Sequence, residues 1–159
     1  TGTHPTTAMC LRSMDADLGS GARVVDYGCG SGILGIAAVR LGATAALGVD
    51  NDPQAITASL NNAARNHVPR EAFSVVLPED ELVSSWRGAA TWVVANILAG
   101  PLVVLAPVLT SLMTPGGRLL LAGLLADQAE EVIKAYAPTV DLVIADQQEG
   151  WVLLSGNKR

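Results

Sequence analysis

Val24-Val25-Asp26-Tyr27-Gly28-Cys29-Gly30-Ser31-Gly32 is a short apolar run that ends in a carboxylate and passes through three glycines into the Ala/Ile/Leu-rich segment Ser31 to Leu41. β-Branched residues bounded by glycine read as a buried strand, here Arg23 to Tyr27. Residues Ser31 to Leu41 read as a helix that stops at Gly42. A strand, a glycine loop and a helix in that order form the unit from which doubly wound α/β sheets are built. The glycines let the backbone come close to a ligand.

The same alternation continues in both directions. Pro5 to Leu18 reads as a preceding helix with proline in its first turn. Downstream, a strand from Ala45 to Asp50 is followed by a helix from Pro53 to Asn66, and a third strand covers Phe73 to Leu77. A fourth strand, Thr91 to Ala95, leads into a helix from Pro101 to Met113 with a bend expected at Pro107. Pro115-Gly116-Gly117 makes a turn into a fifth strand, Arg118 to Ala122, and Ala126 to Tyr136 is an amphipathic helix. Val140 to Ala145 and Trp151 to Leu154, joined by a polar turn at Glu149-Gly150, read as an antiparallel hairpin. The expectation is an α/β, Rossmann-like, doubly wound domain with a mostly parallel sheet and a C-terminal antiparallel hairpin.

Bulk properties bound the function. The 159 residues are the size of one domain, and with 50% hydrophobic and 16% charged residues they suit a sheet covered on both faces. No repeat, low-complexity tract or linker divides residues 1–159. A net charge of −5, with Lys134 and Lys158 the only lysines, argues against direct nucleic-acid binding. Cys10 and Cys29 lack metal or disulfide spacing, and His4 and His67 have no partner at ligand spacing, so no metal site is expected and a cytoplasmic home fits. Gly88 to Gly117 contains no charged side chain, but Asn96, Gly100, Pro101 and Pro107 divide it into strand, turn and helix, so no membrane span is expected. The chain starts at Thr1 without methionine or signal peptide and reads as part of a longer protein.

The glycine loop is paired with a second feature. Asp50 ends the second strand roughly twenty residues after Gly28, the position at which a carboxylate accepts the hydroxyl protons of a ribose. Glycines at 30, 32 and 35 also spell a dinucleotide fingerprint, so a nicotinamide cofactor competes with S-adenosylmethionine. The discriminator is charge. A dinucleotide brings a pyrophosphate, whereas the methyl donor brings an ammonium and a sulfonium, which suit Asp26 at the strand end. No Lys or Arg lies between Arg23 and Arg40, although helix N–H groups alone can bind phosphate. The structural alternative is a tight turn with two solvated acids. At Gly32 and Gly35, helix packing is the simpler explanation.

Four segments carry a family resemblance. Thr1-Gly2-Thr3-His4-Pro5-Thr6-Thr7, Asp26 to Gly32, Gly48-Val49-Asp50-Asn51-Asp52-Pro53 and Asn96-Ile97-Leu98-Ala99-Gly100-Pro101-Leu102 together resemble the ribosomal protein L11 methyltransferase family. The glycine loop is common to many methyltransferases, whereas the first and last segments are narrower. The resemblance implies a seven-stranded methyltransferase sheet and transfer of methyl groups from S-adenosylmethionine to lysine side chains or the N-terminal amine of a large-subunit ribosomal protein. It also implies cofactor contacts at Thr7, Gly28, Asp50 and Asn96. Asp26 and Gly30 join this set from the loop reading above. Thr91 stands where the family often has aspartate. The family's N-terminal substrate-recognition domain is expected to lie upstream of Thr1, leaving residues 1–159 as a catalytic domain and, by expectation, a monomer.

Asn96 is the candidate catalytic residue. Methyl transfer to an amine is an in-line displacement whose main demand is alignment, and an Asn carbonyl can accept from the amine. An isolated Asn before a helix is otherwise a cap, and Thr6 and Thr7 are equally readable as caps. Trp86, Trp92 and Trp151 are expected in the core rather than as base-stacking platforms. Asp52, Glu79 and Asp80 either approach the nucleoside or form a solvated face. A nucleic-acid or small-molecule N-methyltransferase and a non-catalytic cofactor-binding module are the competing functions. The first lacks an aromatic residue in the Asn96 loop to hold an extruded base.

Overall fold

The computed structural model describes residues 4–159, so the first three residues of the N-terminal motif lie outside the described part. The elements run α1 (Pro5–Asp17), β1 (Arg23–Tyr27), α2 (Ile33–Arg40), β2 (Ala45–Val49), α3 (Pro53–Arg65), β3 (Phe73–Val76) and α4 (Glu81–Ser85). They continue with β4 (Ala90–Asn96), α5 (Ala99–Val104), α6 (Ala106–Leu112), β5 (Met113–Leu125), α7 (Ala129–Tyr136), β6 (Val143–Gln148) and β7 (Trp151–Asn157).

The seven strands form one sheet in the order β3-β2-β1-β4-β5-β7-β6. Strands β1 to β5 pair in parallel, and β7 runs antiparallel between β5 and β6. The parallel strands are buried on both faces, and their alternate residues feed two cores. Val25, Val93, Leu119 and Leu121 join Leu102, Leu109, Val132 and Tyr136 from α5, α6 and α7. Val24, Val94 and Leu120 point the other way, toward Met9 and Met14 of α1 and Leu34 and Ile36 of α2. Asp26 shares the face of Val24, which sends its carboxylate beneath α2.

Several boundaries differ from the sequence reading for local reasons. The helix expected from Pro101 to Met113 is two helices, broken at Leu105 rather than bent at Pro107. Proline has no N–H and its ring crowds the carbonyl four residues back, so it starts α6 instead of continuing α5. The Pro115-Gly116-Gly117 turn lies inside β5 as an excursion, where pairing jumps from Ala90↔Met113 to Trp92↔Arg118. The sixth strand is shifted from the expected Val140–Ala145 to Val143–Gln148, and Val140 makes only an isolated bridge to Lys158. The short α4, capped by Asp80 on Leu82 N–H at 2.9 Å, was not anticipated because five residues are too few to show a period. Among the described residues no helix is long and apolar enough to cross a membrane.

Tyr136 joins the last helix to α5: fully buried, it donates its hydroxyl proton to Leu102 O at 2.6 Å. Tyr136→Phe should therefore lower unfolding free energy by about 1–3 kcal/mol, the usual effect of stranding a buried carbonyl. Urea denaturation measures this, and an unchanged midpoint would show that the carbonyl finds another donor.

Candidate functional site

The strand order reverses beside β1. The chain runs outward from β1 through β2 to β3, then returns to place β4 and β5 on the other side of β1. In open α/β sheets ligands bind in the crevice outside the carboxyl ends of the strands at such a switch point. Here the loops after β1 and β4 meet, with Ile97 against Gly28. Residues from the β1, β2 and β4 ends meet there.

The β1 loop is fastened at both sides. Gly28 N–H and Cys29 N–H donate to Val49 O at 2.7 and 3.0 Å, locking the loop to the end of β2. Gly30 N–H donates to Asp50 Oδ2 at 2.9 Å, while Asp52 N–H donates to Asp50 Oδ1 at 3.0 Å. Each oxygen of the Asp50 carboxylate is thus oriented by one backbone donor and retains acceptor capacity for a further hydroxyl. Ser59 Oγ donates to Gly30 O at 2.8 Å, and Asn62 Nδ2 to Ser31 O at 2.9 Å, so α3 braces the loop from outside. Gly28 has φ +78°, and a Cβ there would lie 2.5 Å from Ile97 Cγ2. Only glycine fits that approach.

Asp26 is 2% exposed, and its Oδ2 accepts from Gly35 N–H at 3.0 Å. That N–H belongs to the first turn of α2, whose own cap residue, Gly32, has no side chain to offer. A carboxylate from β1 therefore caps α2 from a distance. Burial lifts the Asp26 pKa from 3.8 to about 7, opposed by the Gly35 hydrogen bond and reinforced by the charge of Asp50. Gly35 also matters for packing, since a Cβ there would sit 2.5 Å from the Phe73 ring.

Asn96 ends β4. Its Nδ2 donates to Thr7 Oγ1 at 3.2 Å, which ties the nitrogen end of the amide to α1. Thr7 is not the α1 cap. His4 takes that role, its Nδ1 accepting from Thr6 N–H at 3.2 Å. A cleft of about 390 Å³ opens beside Asn96, walled by Thr7, Leu98, Gly123 and Trp151. Leu98 is 68% exposed at its mouth.

The structure brings Gly28, Gly30 and Asp50 together in one cradle, and Thr7 and Asn96 together across the crevice; Asp26 lies buried beneath the cradle. Asp52 and Asp80 are helix caps of α3 and α4. Trp86 and Trp92 are in the core, with Arg23 and Arg118 guanidinium groups stacked on them at 4.3 and 5.2 Å. Trp151 is partly buried and packs against the core as expected, and it also walls the cleft and meets the His4 ring edge-on at 5.6 Å. Sequence reasoning missed this second role because its neighbours in the cleft come from α1, β4 and β5. Burial pushes the Cys10 and Cys29 thiols up to about 12, with the charge of Asp26 adding to the effect, so neither supplies a thiolate nucleophile.

A doubly wound sheet in the order β3-β2-β1-β4-β5-β7-β6, with β7 antiparallel and a glycine loop after β1 hydrogen-bonded to a carboxylate after β2, has the Rossmann-like fold of S-adenosylmethionine-dependent methyltransferases. The family profile "Ribosomal protein L11 methyltransferase (PrmA)" matches residues 1–159. Ribosomal protein L11 methyltransferases of Pseudomonas paraeruginosa and Nitrosomonas europaea are 54% and 52% identical over 100% and 99% of the chain. The chain spans about half the length of these curated relatives, 53% and 52% respectively. A solved structure of ribosomal protein L11 methylase from Lactobacillus delbrueckii subsp. bulgaricus superposes with a TM-score of 0.85 at 30% identity, covering 99% of this chain and 81% of that one. The chain belongs to the ribosomal protein L11 methyltransferase family.

The raised pKa of Asp26 means that the folded protein holds this proton more tightly than the unfolded chain. Its stabilising contribution is complete below about pH 4 and is lost as pH rises through about 7. Between about pH 5 and pH 8, wild-type stability should therefore fall by about 1–3 kcal/mol relative to Asp26→Asn, which stays neutral throughout. Urea titrations of both proteins across that range decide it, and parallel pH profiles would contradict the assignment.

Proposed function

We propose that the domain transfers methyl groups from S-adenosylmethionine to amino groups of a large-subunit ribosomal protein, lysine side chains or the N-terminal amine, in the cytoplasm. When bound, the donor supplies an activated methyl on a sulfonium. Residues Gly28, Gly30 and Asp50 would hold its nucleoside end, and Thr7 and Asn96 would lie on the acceptor side. The buried Asp26 would add negative potential suited to a cationic ligand once it ionises, as pH rises through about 7.

The observation that carries this reading is the Asn96–Thr7 hydrogen bond. Because Thr7 takes the Asn96 amide nitrogen, Oδ1 is the end presented to an incoming amine, and a carbonyl oxygen can accept an amine N–H while leaving the nitrogen lone pair to react. The side chains so identified align and accept; none needs to form a covalent bond to the substrate. Trp151 and Leu98 offer apolar walls for the stem of an alkylamine.

The dinucleotide alternative meets a specific obstacle. A pyrophosphate would use the first-turn N–H groups of α2, but Gly35 N–H is already taken by the Asp26 carboxyl. We further propose that residues 1–159 act as one catalytic domain and a monomer, with no direct nucleic-acid contact. The remaining length found in the relatives would recognise the protein substrate.

Radiolabelled methyl transfer to purified ribosomal protein L11 by the full-length protein tests this function. Wild type should turn over, and Asn96→Ala should lose about 100-fold in kcat with a smaller loss of donor affinity, because alignment counts most in the transition state. Donor binding without transfer to any amine would instead make the domain a cofactor-binding module.

A further inference from the structure

We infer that Ile97 is a positioning residue, clasped between two glycines, that sets Asn96 against the donor loop. The inference rests on the reading of Asn96 as the residue that aligns the amine.

On one side, the Ile97 side chain packs into the space that a Cβ at Gly28 would occupy, with Cγ2 only 2.5 Å from that position. On the other, β5 runs alongside and approaches the Ile97 backbone closely at Gly123. A Cβ at Gly123, where φ is +93°, would lie 2.3 Å from Ile97 O and 2.9 Å from Ile97 N. The obstacle there is backbone, which cannot swing aside as a flexible side chain does. Ile97 N–H donates to Ala122 O at 3.1 Å, fastening the same peptide. On its far edge the pairing of β5 with β7 shifts between Leu121 and Leu124, leaving Gly123 outside both ladders while Ala122 still pairs with Asn96 of β4.

The residue immediately after Asn96 is thereby gripped by the β1 loop through its side chain and by β5 through its backbone. Asn96 itself is held by Thr7 at its amide nitrogen. Three elements consequently fix where the Asn96 carbonyl lies relative to Gly28. The Ile97 side chain links the donor loop to the acceptor side, and Ile97 also lines the cleft beside Asn96, so its test separates turnover from donor affinity.

The test compares Ile97→Ala with Ile97→Val in the full-length protein. Valine keeps the γ-methyl that meets Gly28 and loses only the terminal methyl; alanine loses the whole contact. Ile97→Ala should reduce kcat for methyl transfer to ribosomal protein L11 by about 10- to 100-fold, the scale of an ångström-sized misplacement, with S-adenosylmethionine affinity within about threefold of wild type. Ile97→Val should restore turnover even though it also removes buried apolar surface. A purely structural role would lower the melting temperature of both variants and leave kcat of the folded protein unchanged. The NMR signals of the Asn96 side-chain amide give a second readout independent of turnover: they should move in Ile97→Ala and return in Ile97→Val. If wild type transfers methyl groups and Ile97→Ala does so within about twofold of it, the inference is overturned. If wild type does not transfer to this acceptor, the functional reading fails separately, and unchanged Asn96 signals in Ile97→Ala overturn the inference.

Discussion

The buried Asp26 carboxylate, reaching from β1 to the Gly35 N–H of α2, is the constraint around which the site is organised. Glycine at the start of α2 leaves the helix without a side-chain cap of its own, and a strand residue supplies the missing acceptor. This fixes the angle at which the chain leaves the sheet. The Gly28–Gly32 loop then has to arch over a filled space instead of collapsing onto it. The same interaction changes the character of the helix terminus. An N-terminal N–H that could serve a phosphate is occupied by the Asp26 carboxyl, so one contact shapes the loop and takes up a donor of the helix terminus.

From that anchor the remaining parts follow by packing. The β1 loop is locked to Val49 and Asp50 on the β2 side and braced by Ser59 and Asn62 of α3. Toward β4, it meets Ile97. Burial of the strands on both faces keeps β1, β2 and β4 in fixed register, with Asp26 opposite Gly48 and Val94. The crevice is therefore built on rigid strand ends, although the groups that line it sit on loops.

The parts legible in the sequence are those encoded by neighbours in the chain. The strand-glycine-helix pattern at Arg23–Leu41, the carboxylate after β2 and the closing hairpin all depend on local periodicity and turn chemistry, and the structure contains each of them. The resemblance to a methyltransferase family likewise rested on contiguous segments, and the family profile covers the whole chain. What escaped is tertiary. Nothing near Thr7 in sequence reveals that Asn96 donates to it, and His4 takes the capping role that Thr6 and Thr7 were equally fitted for. Trp151 has the apolar neighbours of a core residue, yet the return of β7 beside β5 brings it to the cleft. Gly123 falls just beyond the fifth strand as the sequence reads it. Only the fold shows that a methyl group there would strike the Ile97 carbonyl.

The central claim is that this cradle recognises a cationic nucleoside and rejects a pyrophosphate. Isothermal titration calorimetry of the protein with S-adenosylmethionine and, separately, with a nicotinamide dinucleotide addresses it without requiring a methyl acceptor. Saturable binding of the methyl donor and no heat from the dinucleotide is the predicted result; tight dinucleotide binding with no response to S-adenosylmethionine would contradict it.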